Sequence, residues 1–259
     1  MQIKKYFAEN FSICEAITTS QIDETYRVRH AVYCDEFEYL SKHTDGKESD
    51  EYDSQSFHCL VRDLSSKSHI GCMRLIQGSA DSNNGTLPVF RQCAEAFDKR
   101  LFNVNDYEPG QLGEVSRLAV INSHRMRNAD RRKPSAPEPS QSEQRAKKNR
   151  RQHSVVPLSL FLGGMVLFKK MEAEIVVAMM EPSLGRMLRM SGIMFEPVGQ
   201  IVDYHGPRAP FILRKELMFR ELSDDMMELF EHVDREMKAS AAAEQDQNIG
   251  FEKLLRAVR

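Results

Sequence analysis

Three arginines in the first half of the chain stand where an apolar pattern would put core residues, and this restricts what the chain can fold into. Arg29 falls on the helical stripe Ile22, Tyr26, Tyr33 and Phe37, three residues after one tyrosine and four before the next. Arg74 shares a strand face with Ile70, Cys72 and Ile76, while Met73 and Leu75 take the other face. Arg117 alternates with Val115 inside Gly113 to Val120, opposite Glu114 and Ser116, unless a bulge intervenes. A guanidinium leaves water only if a carboxylate meets it. The fold must therefore carry carboxylates to these positions, and the candidates are Asp50, Asp53 and Glu114. On helical spacing alone Arg29 is equally compatible with a place at the stripe's edge, its head group snorkelling to water. Each charge by itself reads more readily as a structural ion pair; gathered together they predict a polar site inside the fold.

Around these residues the chain reads as alternating elements. A short strand over Phe11 to Ile17 precedes a helix whose start is signalled by Ser20 and, three residues on, Asp23. Ser41 to Gln55 is a polar surface loop. Phe57 to Arg62 and Ile70 to Gln77 form a hairpin, and a helix over Arg91 to Phe97 leads to the strand Gly113 to Val120. An amphipathic helix from Val155 to about Met171, a strand over Glu174 to Met180, and a helix opened by Glu181-Pro182-Ser183 and closed at Gly192 follow. Strands at Ile193 to Tyr204 and Pro210 to Arg214 lead to a last helix, about 223–240, that buries Met226, Leu229, Phe230, Val233 and Met237. The stretch Ala239 to Asn248 reads as frayed. The order predicts one α/β domain over residues 1–259, a mixed sheet with helices on both faces.

The net charge of −2 conceals a division: Arg125 to Arg151 carries ten basic and three acidic residues, a balance of +7, against −9 over the rest. With Pro134, Pro137 and Pro139 in it, this stretch predicts a flexible basic insertion at about 124–153. Five scattered cysteines with no CxxC pair predict a reducing, cytoplasmic setting. The most apolar run, Val155 to Phe168, is too short to cross a bilayer. The histidines show no HxxxH or HExxH spacing, so no metal is expected, and no GxSxG, SxxK, GxGxxG or GxxxxGK[ST] is present.

Arg29-His30-Ala31-Val32-Tyr33, Glu48-Ser49-Asp50-Glu51-Tyr52-Asp53, Gly71-Cys72-Met73-Arg74-Leu75, Phe90 and Glu114-Val115-Ser116-Arg117-Leu118 resemble, in order and spacing, the acyl-homoserine-lactone synthases over residues 20–120. Where that family usually has tryptophan, this chain has Tyr39. The length and the Arg-rich insertion look closer to a related group, the acyltransferases found with the PEP-CTERM/exosortase surface-sorting system, which are similar also to N-acyl amino acid synthases.

The resemblance implies a GNAT fold and transfer of a fatty acyl group from acyl carrier protein, or from acyl-CoA, to the amine of an amino-acid-like acceptor, with no bound cofactor. It implies Glu114, Arg117 and Arg29 as catalytic residues, and Tyr33, Tyr39, Asp50, Asp53, Arg74, Phe90 and Ser116 as substrate-binding ones. The sequence agrees on one point: where acetyl-CoA enzymes place a glycine-rich turn to cradle pyrophosphate, it has His124-Arg125-Met126-Arg127 and no glycine until Gly163. Arg125, Arg127, Arg131, Arg132, Lys147, Lys148, Arg150 and Arg151 are then expected to meet an acidic carrier protein. The alternatives are a lactone synthase using S-adenosylmethionine, and a non-catalytic regulator or nucleic-acid binder acting through the basic insertion.

Overall fold

The computed structural model describes residues 3–79, 87–124 and 141–257. Helix α1 (Ile3–Asn10), which the sequence pattern did not suggest, packs Phe7 into the core ahead of β1 (Phe11–Glu15). Helix α2 (Thr19–His30) starts earlier than Ser20 and Asp23 imply: Thr18 caps it, its hydroxyl accepting from the Gln21 amide while the Gln21 side chain accepts from the Thr18 amide. Threonine and glutamine at that spacing make the reciprocal cap that serine and aspartate would have made two residues on. A π-helical turn, Ala31–Glu36, follows without a break.

The hairpin is β2 (Ser56–Asp63) and β3 (His69–Gln77). The expected helix over 91–97 is instead α3 (Pro88–Gln92) and a 3-10 turn, Ala94–Ala96. Pro88 at the first turn fixes the earlier start. Strand β4 (Leu112–Val120) pairs antiparallel with β3 and parallel with β5 (Ile175–Met180).

Helix α4 (Gln141–Lys170) corrects the reading of a loop through residue 153. The three prolines of the insertion end at Pro139, and Gln141 to Gln152 then contains only residues that tolerate or favour a helix. Helix α5 (Pro182–Met190) ends at Gly192, whose φ of +81° and close approach to the Glu221 carbonyl leave no room for a side chain. The strand expected over 193–204 shrinks to β6 (Glu196–Pro197) and β7 (Val202–Asp203), both paired with β8 (Pro207–Arg214). Helix α6 (Asp224–Ala257) runs through the stretch expected to fray, whose alanines, glutamines and glutamates are good helix formers. It buries all five residues assigned to its core face.

The sheet order is β1-β2-β3-β4-β5-β8-β6, with β7 beside β8. One face carries the main core: Phe7, Leu158, Leu162, Phe168, Leu229 and Val233 bring α1, α4 and α6 against Ile13, Met73 and Val115. The other face is covered by α2, through Val28 with Leu60, Cys72 and Ala119, and by the segment around Leu87, Val89 and Phe102. Helices thus lie on both faces of a mixed sheet.

Candidate active site

Two irregularities in β4 build the site. Cys72 is opposite Ala119 and Arg74 opposite Ser116, so Met73 alone faces both Arg117 and Leu118. This is a β-bulge, and Arg117 adopts φ +50° in it, an uncommon conformation for a residue with a side chain. Simple alternation would turn Arg117 away from Glu114; the bulge instead delivers it to the carboxylates that also meet Arg74. The second irregularity is the end of pairing with β5, which runs only from Leu112↔Ile175 to Glu114↔Val177. Beyond that point β4 continues beside β3 and β5 beside β8, so the strands fork with Glu114 at the apex.

On the α2 side of the sheet the charged residues close into a ring. Arg29 donates to Glu48 at 2.5 Å and to Asp53 at 2.6 Å. Arg74 donates to Asp53 at 2.8 Å and to Asp50 at 2.5 Å. Arg117 donates to Asp50 at 3.0 Å and to Glu48 at 3.1 Å. Each carboxylate accepts from two arginines and each arginine serves two carboxylates, so the formal charges cancel around the ring. Ser116 accepts from Arg74 Nε at 3.1 Å, and the Asp50 amide donates to Asp53. Burial opposes ionisation of Asp53, but hydrogen bonding and charge from Arg29, then Arg74, outweigh it and hold the carboxyl at about 2. Glu48 is lowered for the same reasons by Arg29 and Arg117.

Arg29 is 0% exposed and does not snorkel. Its guanidinium sits inside the ring, held by Glu48 and Asp53. Glu48, quoted in the motif but not singled out, is the ring's third carboxylate; no periodicity marks it, because it lies on a loop.

Glu114 stands apart from the ring. It is 7% exposed and accepts the Val89 amide of α3 at 2.8 Å. Desolvation pushes its carboxyl up to about 7, against the opposing pull of the Val89 amide, Arg74 and Arg117. A carboxyl poised there can take a proton near neutrality.

The aromatic candidates divide. Tyr33, turned inward by the π-helical turn, donates to the Leu118 carbonyl at 2.8 Å and lies 5.9 Å from the Arg117 guanidinium. Phe90 packs on Phe97 and Phe102. Tyr39 stacks between Phe37, at 4.9 Å, and His205, at 4.8 Å, so the loop after the π turn meets the β7–β8 turn. The hydroxyl of Tyr204 in that turn donates to Gln92.

Of the carrier-docking candidates, Arg125, Arg127, Arg131 and Arg132 lie outside the described residues, and for Lys147, Lys148, Arg150 and Arg151 only the helical backbone of α4 is described. All five cysteines are free thiols. Among the described residues no group of His, Cys, Asp and Glu is placed to hold a metal ion, and no helix is long and apolar enough to cross a membrane.

Residues 28–132 match the family described as acetyltransferase (GNAT) domain. Taken with the forked mixed sheet, this defines the chain as an acyltransferase of the GNAT fold. Three solved structures share that fold. TofI, crystallised in a ternary complex with an inhibitor and MTA, aligns with a TM-score of 0.53 at 15% identity over 83% of this chain and 99% of its own. BjaI, a CoA-dependent acyl-homoserine lactone synthase with SAM and isopentyl-CoA, aligns at 0.51 and 18% identity over 80% and 86%. FeeM, an N-acyl amino acid synthase from uncultured soil microbes, aligns at 0.50 and 13% identity over 84% and 97%. No curated protein sequence matches the chain.

Proposed function

We propose that the protein transfers a fatty acyl group from a thioester to the amine of an amino acid, giving an N-acyl amino acid. The observation that carries this is Glu114: a buried carboxyl, pushed up to about 7 by desolvation, at the apex where β4 and β5 part, the point at which an extended thioester arm can lie between two strands. The acceptor enters as the neutral amine, its ammonium proton lost to water, and the Glu114 carboxylate takes a proton from the nitrogen as it attacks. The nitrogen bonds to the acyl carbon, and β4 amides past Glu114, which have no β5 partner, face the tetrahedral oxyanion. The C–S bond then breaks, and the protonated Glu114 returns its proton to the leaving thiolate. The ring of Arg29, Arg74, Arg117, Glu48, Asp50 and Asp53 holds α2 and its loop over this point.

On the opposite face, a small apolar void between α4 and the sheet touches Met73, Val115, Met165, Phe168, Val176 and Phe195. Val115 and Val176 come from the two strands of the fork, so an acyl chain passing between them reaches this space, which flexible methionines can enlarge. Once the methionines give way, the space takes a fatty chain, which acetyl would not need. Acyl carrier protein is the donor we favour, because the basic run Arg125 to Arg151 directly follows β4 and suits an acidic carrier. The same insertion supports kinship with the acyltransferases of the PEP-CTERM/exosortase system.

A second reading draws on the neighbours crystallised with SAM or MTA: an acceptor of S-adenosylmethionine and a homoserine-lactone product. Purified protein supplied with acyl carrier protein or CoA thioesters of several lengths, and with amino acids or S-adenosylmethionine, separates the two by mass spectrometry of the products. N-acyl amino acids are expected; lactones alone would replace the reading, and neither product would remove both.

A further inference from the structure

The ring leaves no arginine free to receive an acceptor's carboxylate, yet the cleft holds one more. On β8, Arg208, Pro210 and Ile212 share a face, and Ile212 packs with Ile76, Leu112 and Val177, the face from which Glu114 projects. The charge of Arg208 acts on Tyr33, Cys93 and Tyr204; that of Glu114 acts on the last two as well, and that of Arg117 on Tyr33 and Tyr204. Through Val177, Glu114 is level with Ile212 on β8, and Arg208 lies four residues further along the same face, past the end of the β4–β5 pairing.

Arg208 makes no ion pair or hydrogen bond among the described residues, and its Nε is buried without a partner. Nη2 of Arg29 is also unpartnered, but that side chain is wholly enclosed. Arg208, by contrast, is only half-buried. Its backbone is fixed beforehand. Val202 pairs with Arg208 and Asp203 with Pro207, the Gly206 amide donates to Asp203, and the Tyr204 hydroxyl ties the turn to Gln92.

We infer that Arg208 binds the carboxylate of the acyl acceptor and thereby turns its amine toward Glu114. The inference rests on the acyl-transfer reading and specifies its substrate. The ring is neutral and Arg208 is unpaired among the described residues, so the ligand that complements it is an amino acid with a neutral amine and one carboxylate. A guanidinium left half-desolvated and unpaired gains most from a planar anion that accepts from two of its nitrogens.

The test compares an amino acid with its carboxamide as acceptors at saturating acyl donor. Wild type is expected to favour the carboxylate about 10- to 100-fold in kcat/KM. In Arg208→Gln that preference should collapse through the acceptor KM, with the donor KM and the melting temperature unchanged, and Arg208→Lys should restore part of it. S-adenosylmethionine, which carries the same carboxylate, runs as a third acceptor to identify its source. A preference retained by Arg208→Gln overturns the inference. Calorimetric binding of an N-acyl amino acid against its amide needs no turnover. Arg208-dependent discrimination there, with no acyl transfer to any amine, would keep this inference and remove the acyl-transfer reading; acyl transfer without such discrimination would do the reverse.

Discussion

Arg117 Nη2 lies 3.1 Å from Glu48 Oε1, across 69 residues of chain, and the contact exists because the bulge in β4 rotates Arg117 off its expected face. The contact closes the ring, so the loop carrying Glu48, Asp50 and Asp53 is held from three directions: by α2, β3 and β4. Its energetics follow from burial. The attraction between these charges compensates for their desolvation only while every partner is present.

Arg29→Met fills the same space but leaves Glu48 and Asp53 each short of an arginine. Urea unfolding should show a loss of about 3–5 kcal/mol at pH 7. A loss below about 1 kcal/mol would mean that the ring does not hold the loop.

Glu114→Gln keeps an oxygen for the Val89 amide and removes the base. Acyl transfer should fall by about 10²–10⁴-fold with the fold intact, and the limb of the pH–rate profile near 7 should vanish. Unchanged turnover in a folded variant would take the base assignment away from Glu114.

A buried group and a half-buried one outside the ring shape stability against pH in opposite senses. Desolvation lowers His58 to about 4, so its contribution is present above the unfolded value near 6.5 and is lost as pH falls through 4. Glu236 on α6 is pushed up to about 7, again chiefly by desolvation, so its contribution is present below the unfolded value near 4.5 and is lost as pH rises through 7. Glu236→Gln should therefore stabilise the protein by about 1–3 kcal/mol at pH 8 and by little at pH 4. His58→Gln should flatten the slope between pH 4 and 6.5. Thermal melts across pH check both, and a Glu236→Gln gain independent of pH would contradict the first.

A β-carbon at Gly164 on α4 would come within 2.2 Å of the Met73 terminal methyl. That methyl ends a flexible side chain, so Gly164→Ala should fold with a stability change within about 1 kcal/mol. It should also crowd the apolar void and shift the preferred acyl chain to shorter lengths, read by competition between thioesters. An unchanged length profile would place the chain elsewhere.

Periodicity placed Arg74 correctly, because a regular strand fixes its direction, but left Arg29, which the structure buries, open between the inward face and the stripe's edge. It failed at Arg117, where one extra residue resets the alternation, and the sequence could do no more than allow for a bulge there. Glu48 carried no pattern because loops have no period, and Arg208 was passed over between Pro207 and Pro210, in a segment too broken to assign a face. The misjudged lengths of α4 and α6 have different causes: the three prolines carry the loop reading past Pro139 into residues that accept a helix, and the alanine-rich stretch of α6 looks frayed although its residues favour a helix.

The ring also bears on how this segment can change over generations. Since every member touches two others, one substitution strands two charges, and a second can rescue no more than one of them. No path of single, individually tolerated replacements leads out of such an arrangement. Sequence drift should therefore pass around these six positions and concentrate in the parts of the cleft that meet the ligand, leaving descendants with one shared frame and divergent acceptors.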